Sequence, residues 1–202
     1  LDYMNNEELL KNVMSKAQRW LDEKYDADTR AEVKAMIDAE DKTPLIEAFY
    51  KDLEFGTGGL RGIMGVGSNR MNIYTVGAAT QGLANYLKDT FKDLEQISVC
   101  VGHDVRNNSR KFAELTADIF SANGIKVYLF DDCRPTPEIS YGIRKLGCQS
   151  GVVITASHNP KEYNGYKVYG EDGAQMSPED TAKVVDYIEG ITDYLSVKGD
   201  EN

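Results

Sequence analysis

Ser157 and His158 lie just beyond a short apolar run, residues 152–154, in which the side chains are β-branched. Such a run predicts a buried strand, which would deliver a hydroxyl and an imidazole to the edge of a sheet. Open α/β sheets commonly carry their chemistry at this edge. A serine hydroxyl is a weak nucleophile unless a base, a metal or a phosphoryl group changes its role, so the groups around Ser157 decide what it can do.

Three interpretations of Ser157 compete. A hydrolase would need the glycines of the G-x-S-x-G elbow, which Thr155 and Ala156 do not supply, and the adjacent His158 cannot easily turn back onto the serine. A purely structural turn before Pro160 is the second, because Ser, Asn and Pro are common turn formers. The third is a phosphoryl relay, which needs a hydroxyl on a rigid strand end, cations or amides for the phosphate, a divalent metal and a proton carrier.

Lys167 is the candidate proton carrier. It lies ten residues after Ser157, beyond a turn-forming stretch at 163–165, and an antiparallel strand would return it to the same sheet edge. As an ammonium or a neutral amine it suits general acid and base work on a sugar hydroxyl. The alternative is an ordinary solvated lysine.

Arg61 is the single cation in a glycine-rich stretch from Phe55 to Gly67. Glycines let backbone amides approach an anion closely, so this stretch is a candidate phosphate or substrate loop. It matches neither nucleotide-binding fingerprint, since Ser68 stands where the Walker lysine would follow. The alternative is a glycine-rich turn that leads into a strand.

Asp104 and Arg106 follow another apolar run. They are expected to form a local ion pair that orders the sheet edge, with contact to a phosphate as the less favoured alternative. His103 and His158 have no spacing that predicts a shared metal site, so each alone is read as a structural residue.

The first fifty residues predict three amphipathic helices. The first spans 7–25, the second begins at Thr29 with the pattern of a capping box, and the third begins at Thr43 with Pro44 in its first turn. These helices are expected to pack on a neighbouring domain.

Beyond residue 50, strands alternate with helices of ten to fifteen residues, two of which are expected to begin at Thr75 and Ser109. This alternation predicts a three-layer α/β/α domain with a mixed, largely parallel sheet, preceded by the N-terminal helices. Asp104, Asp131 and Ser157 would then share one edge of the sheet.

Charge and composition exclude several classes of protein. The 202 residues carry 23 Lys plus Arg against 33 Asp plus Glu, and the net charge of −10 disfavours a nucleic-acid partner. No apolar run approaches the roughly 20 residues of a membrane helix, and no signal-peptide pattern opens the chain, so no membrane partner and a cytoplasmic location are expected. Three cysteines without C-x-x-C spacing argue against a disulfide framework and a structural zinc site.

Three stretches in the same order resemble signatures of the α-D-phosphohexomutases, the phosphoglucomutase and phosphomannomutase family. Residues 155–160 with 163–167, TASHNP and YNGYK, are similar to the active-serine loop of that family. Residues 55–62, FGTGGLRG, are similar to its substrate-site loop, and the Gly-x-Asp-x-Arg-x-x-Ser pattern at 102–109 to a third signature. Together they span about residues 51–190, and the helical extension resembles that of longer members, which include phosphopentomutases.

The resemblance implies a role for each residue of these loops. Ser157 would be the phosphoserine, with its phosphate bound to Mg²⁺, and Lys167 would be the general acid and base. Arg61 would be a second candidate for proton transfer or a cation beside the phosphate. The implied substrate- and phosphate-binding residues are Thr57, Gly58, Arg106, His158 and Asn159. Sugar phosphates would be the substrates, and glucose 1,6-bisphosphate the intermediate and activator.

The resemblance also implies a domain organisation. Residues 51–195 would be the first domain of such an enzyme, after a helical extension at 1–50 and before a polar tail at 196–202. Family members have four domains, and the loops of the other three are not found here, so those domains are expected partners and the chain alone is expected to be inactive. Glucose and mannose 1-phosphates are the leading substrates, a pentose 1-phosphate is the alternative, and a non-catalytic phosphate-binding module is the rival from another class.

Overall fold

Three helices precede an alternating series of strands and helices. The computed structural model describes residues 2–199, with side chains from residue 6 onward, so the last residues of the predicted polar tail lie outside the described part. The elements are α1 (Asp2–Arg19), α2 (Ala27–Asp38), α3 (Thr43–Phe49), β1 (Phe55–Gly56), β2 (Gly59–Ile63), α4 (Ile73–Thr90), β3 (Ser98–His103), α5 (Ser109–Ala122), β4 (Lys126–Leu129), α6 (Thr136–Leu146), β5 (Ser150–Ile154), β6 (Tyr163–Gly170) and α7 (Pro178–Glu189), with a 3₁₀ turn at Tyr194–Ser196.

The strands form one mixed sheet in the order β1-β2-β6-β5-β3-β4. Strand β3 pairs in parallel with β4 and with β5, whereas β6 pairs antiparallel with β5 and β2, and β1 pairs antiparallel with β2. The predicted α/β class with a mixed sheet is confirmed, and its parallel part is the group β5-β3-β4. Because these three strands run the same way, Asp104, Asp131 and Ser157 follow their carboxyl ends at one sheet edge.

Helices cover the two faces of the sheet unequally. Helices α4, α5 and α7 pack on one face, where Leu83, Phe120 and Val152 belong to the largest apolar core. Helix α6 lies on the other face, against β3 and β5, where Ile139 and Ile143 are fully buried. Within residues 2–199 no helix is both long and apolar enough to cross a membrane.

The three N-terminal helices enclose a second core around Trp20, which is 3% exposed. Its ring stacks on Tyr25 at 4.9 Å and meets Tyr74 of α4 and Tyr194 of the 3₁₀ turn edge-on, at 5.4 and 5.6 Å. The helical extension therefore packs on the α/β domain through aromatic contacts, as expected.

The predicted starts of α2 and α4 were wrong, and these two errors have the same cause. Helix α2 is capped by Asp26 rather than Thr29, and α4 by Asn72 rather than Thr75. An Asx side chain three residues upstream accepts the backbone N–H of each threonine and so begins the helix earlier.

Asp26 joins α2 to α4. Its carboxylate accepts from Thr29 N at 3.0 Å and from the Tyr74 hydroxyl at 2.8 Å, while its backbone N–H donates to the same hydroxyl at 2.9 Å. Burial acts to raise the pKa of the Asp26 carboxyl, but hydrogen bonds from Thr29 and Tyr74 outweigh it and bring the pKa below its usual 3.8. The ionised form is thus favoured in the folded chain.

We expect Asp26→Ala to lower the free energy of unfolding by about 1–2 kcal/mol at pH 7, because α2 loses its N-cap. A depressed pKa contributes stability that is present above the unfolded pKa and lost as the pH falls through the folded pKa, so the deficit should shrink below about pH 4. Urea unfolding at pH 7 and at pH 3 measures both effects. Glu32→Ala, an exposed carboxylate on the same helix, is the control and should change little; an equal loss in both variants would contradict the cap.

Candidate active site

Ser157 is held in a strained backbone conformation just beyond the end of β5. Its φ is +54°, in the left-handed region, which costs a non-glycine residue about 1–2 kcal/mol. Its N–H donates to the Thr155 hydroxyl at 3.1 Å, and Thr155 N donates to the Gly165 carbonyl at 3.0 Å. Strain of this kind persists only when surrounding contacts hold it and is concentrated at functional sites.

Lys167 meets Ser157 from the neighbouring strand. Strand β6 runs antiparallel to β5 with Lys167 opposite Val153, and the lysine Nζ donates to Ser157 Oγ at 2.9 Å. The predicted antiparallel return therefore brings the hydroxyl and the amine into direct contact. A separation of 2.9 Å is within the range that proton transfer between a hydroxyl and an acid–base group requires.

The sheet is open beside these two residues. Lys167 pairs with Gly59 on β2, so Arg61, two residues further along β2, lies on the same face. Helix α6 covers this face over β3 and β5, and a cavity of about 580 Å³ lies over β2 and β6. Its lining includes four cations, Lys51, Arg61, Arg70 and Lys167, with Glu54 as the acidic member.

The predicted phosphate loop is a β-hairpin turn between β1 and β2. Thr57 and Gly58 form the turn, with Gly58 at φ +74°, and both line the cavity. Their carbonyls are used within the chain, since the Thr57 carbonyl accepts from Gln175 Nε2 at 3.0 Å and the Gly58 carbonyl from Val168 N at 2.8 Å. The structure thus has the turn-and-strand form given as the alternative, and contact of this turn with an anion stays a prediction.

Close backbone contacts explain why two positions near Ser157 are occupied by glycine. A Cβ on Gly59 would lie 1.9 Å from the Tyr166 carbonyl oxygen, and one on Gly165 would lie 2.5 Å from the Thr155 carbonyl oxygen. Only glycine lets β2 and the Ser157 loop approach β6 this closely.

The two residues after Ser157 differ in surroundings. His158 is exposed, whereas Asn159 is half-buried and its side chain donates to the Ala156 carbonyl at 2.9 Å, which shapes the turn. His103 is buried at the end of β3, where its Nδ1 lies 2.9 Å from the Asp104 carbonyl. The structure therefore places His158 beside Ser157 and leaves His103 in a structural position.

Asp104 and Arg106 form the predicted ion pair, with Nε and Oδ2 3.8 Å apart. The Arg106 side chain also contacts the Ser157 loop. Its guanidinium donates to three backbone carbonyls of that loop, those of Ser157, Asn159 and Pro160, at 2.7, 2.6 and 2.7 Å. In this structure its contacts are with the loop backbone.

Ser109 and Asn164 support the residues of the site, and neither role is predicted from the sequence. Asn108, at φ +66°, holds the N-cap position predicted for Ser109, so that expectation was wrong. The Ser109 hydroxyl instead donates to Asp104 Oδ1 at 2.6 Å and accepts from Asn164 Nδ2 at 3.0 Å. The Asp-x-Arg-x-x-Ser spacing was the available signal, because a polar side chain so close to a helix start usually has a specific acceptor.

No ready-made divalent cation site lies in the described residues. Groups of three or more His, Cys, Asp or Glu side chains that could hold a metal are not found among them, and the side chain in contact with the Ser157 hydroxyl is a lysine. Mg²⁺ prefers carboxylate, phosphate and water oxygens. The described residues alone therefore do not form a Mg²⁺ site. Oxygen ligands for the ion would have to come from a phosphate on Ser157 and from groups outside residues 2–199.

Residues 52–195 match the family described as phosphoglucomutase/phosphomannomutase, alpha/beta/alpha domain I. The chain belongs to this family. A phosphoglucomutase of Staphylococcus haemolyticus is 41% identical over 170 residues, which is 84% of this chain and 30% of that protein. A phosphopentomutase of Mus musculus is 44% identical over 169 residues, 80% of this chain and 27% of that protein.

Solved structures of the family share the fold. The crystal structure of parafusin, a phosphoglucomutase from Paramecium, in its open form, aligns with a TM-score of 0.58 and 24% identity, covering 69% of this chain and 26% of that chain. The chain thus spans about a quarter to a third of the length of the family members compared here.

We expect Gly165→Ala to lower the free energy of unfolding by about 1–3 kcal/mol, because the new methyl group would overlap the Thr155 carbonyl and push β6 from the Ser157 loop. Urea unfolding measures this loss. Gly56→Ala on β1 of the adjacent hairpin is the matched control, since a Cβ there meets nothing within 4 Å. Equal stability of the two variants would contradict the close approach.

Proposed function

We propose that this chain is the phosphoserine-bearing part of a phosphoglucomutase/phosphomannomutase, in which Ser157 relays a phosphoryl group between two hydroxyls of a sugar phosphate. The observation that carries the proposal is the 2.9 Å contact between Lys167 Nζ and Ser157 Oγ, made at a strained strand end beside a cationic cavity. Membership in a family whose members are named as phosphomutases supports the same reaction class.

In the proposed reaction, phosphoserine 157 donates its phosphoryl group to a free sugar hydroxyl. The bond between phosphorus and Ser157 Oγ breaks, and a bond between phosphorus and the sugar oxygen forms. The neutral amine of Lys167 takes the proton that the sugar hydroxyl loses, and the resulting ammonium gives a proton to Ser157 Oγ as that oxygen leaves phosphorus, which restores the serine hydroxyl. The product is a sugar bisphosphate, and the return step reverses these changes, with Ser157 Oγ attacking the other phosphate.

Cations of the open sheet face would bind the sugar phosphate. Arg61 stands beside Lys167 on that face and could stabilise the negative charge of the transferring group, or share in proton transfer. The turn of Thr57 and Gly58 and the loop residues His158 and Asn159 would also contact the substrate, since they border the cavity or Ser157.

Mg²⁺ remains part of the proposal for the complete enzyme. When bound through the phosphate on Ser157, it would neutralise charge on the phosphoryl oxygens. The other domains of the family would supply the remaining ligands and the sugar-recognition surface, so activity of this chain alone is not expected. A cytoplasmic location is proposed because three cysteines without C-x-x-C spacing do not resemble the disulfide framework of a secreted domain.

The sugar is proposed as glucose or mannose phosphate, with a pentose phosphate as the alternative. One observation favours keeping the alternative: the mouse relative named phosphopentomutase is as similar to this chain as the bacterial one named phosphoglucomutase. Assays of the full-length protein with glucose, mannose and ribose 1-phosphates would separate these substrates.

The first test is phosphorylation of Ser157. We expect the full-length protein, incubated with glucose 1,6-bisphosphate and Mg²⁺, to gain one phosphate by intact mass spectrometry, and Ser157→Ala to abolish this gain. Ser121→Ala, an exposed serine on α5, is the control and should keep it. An absence of phosphate on the unaltered protein would contradict the relay and favour a non-catalytic phosphate-binding module.

The second test separates proton transfer from binding. We expect Lys167→Ala to lower kcat by roughly 100- to 10,000-fold while KM changes much less, because general acid–base catalysis contributes about this factor. Steady-state kinetics of the full-length protein measure both constants. Lys161→Ala, an exposed lysine of the same loop region, is the matched control; a rise in KM alone would make Lys167 a substrate clamp.

A further inference from the structure

We propose that Arg106 is a positioning residue that holds Ser157 in its left-handed conformation, and that it does not serve as a phosphate ligand. The inference rests on the proposed relay, since positioning matters only if Ser157 Oγ reacts. It goes further by giving a specific task to a side chain whose charge alone would favour contact with the substrate.

The contacts of the guanidinium carry the proposal. Nη2 donates to the carbonyls of Ser157 and Asn159, and Nη1 donates to the carbonyl of Pro160 and, at 3.5 Å, to that of Tyr163. Nε faces Asp104 at 3.8 Å. Both terminal nitrogens of the guanidinium thus already donate to loop carbonyls, and Nε faces a carboxylate, so little of its donor capacity is left for a phosphate.

Arg106 is itself held in place by hydrogen bonds at the end of β3. The Asp104 carboxylate accepts the Arg106 backbone N–H at 2.9 Å and the Ser109 hydroxyl at 2.6 Å, and Ser109 in turn accepts from Asn164. Asn164 belongs to β6, the strand that carries Lys167. One set of hydrogen bonds therefore ties the Ser157 loop and the Lys167 strand to the end of β3.

These hydrogen bonds can stabilise the left-handed backbone conformation of Ser157. The backbone of Ser157 has few other anchors: its N–H meets the Thr155 hydroxyl, and its carbonyl meets Arg106. Charge-assisted hydrogen bonds are about twice as strong as neutral ones, so the guanidinium is well suited to fix the loop. A lysine has the same charge but lacks the planar fork that bridges several carbonyls.

The test compares Arg106→Lys and Arg106→Ala with the control Arg110→Lys, all in the full-length protein. Arg110 is exposed on the next helix and pairs with Glu114, so its change should leave kinetics unaltered. We expect both Arg106 variants to lower kcat and the rate of Ser157 phosphorylation by about 100-fold, the cost of a misplacement near 1 Å, with KM changed much less. Added guanidinium ion should partly restore Arg106→Ala. A higher KM with kcat unchanged would overturn the proposal and make Arg106 a phosphate ligand.

A second measurement does not depend on catalysis. We expect amide hydrogen exchange of residues 155–163 to become at least about tenfold faster in Arg106→Lys, while exchange in α4 stays as in the unaltered protein. Unchanged exchange in the loop would overturn the positioning role. If the unaltered protein takes no phosphate on Ser157, the relay fails by itself, and the exchange result still decides whether Arg106 holds the loop.

Discussion

Strand β6 pairs antiparallel with β5 on one side and with β2 on the other, and this double pairing sets the positions of the reactive groups. Opposite β5 it places Lys167 beside Val153, within reach of Ser157 beyond the strand end. Opposite β2 it aligns Gly59 with Lys167, which brings Arg61 to the same face. A hydroxyl, an amine and a guanidinium from three separate parts of the sequence thus depend on the register of one strand.

The core residues of β6 maintain that register. Tyr166 is fully buried on the opposite face, where its hydroxyl lies 2.9 Å from that of Thr80 on α4, and burial raises the pKa of Tyr166 so that it stays neutral. A slip by one residue would turn Tyr166 outward and bury the Lys167 ammonium, which costs several kcal/mol for an unpaired charge. Packing around Tyr166 is therefore a condition for the contact between Lys167 and Ser157.

Much of this arrangement could be predicted from the sequence because its signals are local. The apolar run before Ser157 and the turn formers before Lys167 predict a strand and its antiparallel return. Helix caps were less predictable, since Asp26 and Asn72 compete with nearby threonines for the same position. The contacts of Arg106 could not be predicted at all, because they join its side chain to backbone carbonyls more than fifty residues away, and every residue has a carbonyl.

The uneven cover of the sheet determines where an anion can bind. The chain has a net charge of −10, which repels phosphates at long range. On the face where α6 stops at β5, however, Arg61 and Lys167 line an open cavity instead of being buried under a helix. Phosphate recognition there would be local and short-ranged. The same openness admits water, which would compete with a sugar hydroxyl for a phosphoryl group, so the proposed transfer would require that this face be closed during the reaction. Residues 2–199 leave this face of the sheet open. The bound sugar, or groups outside residues 2–199, would therefore have to cover the cavity.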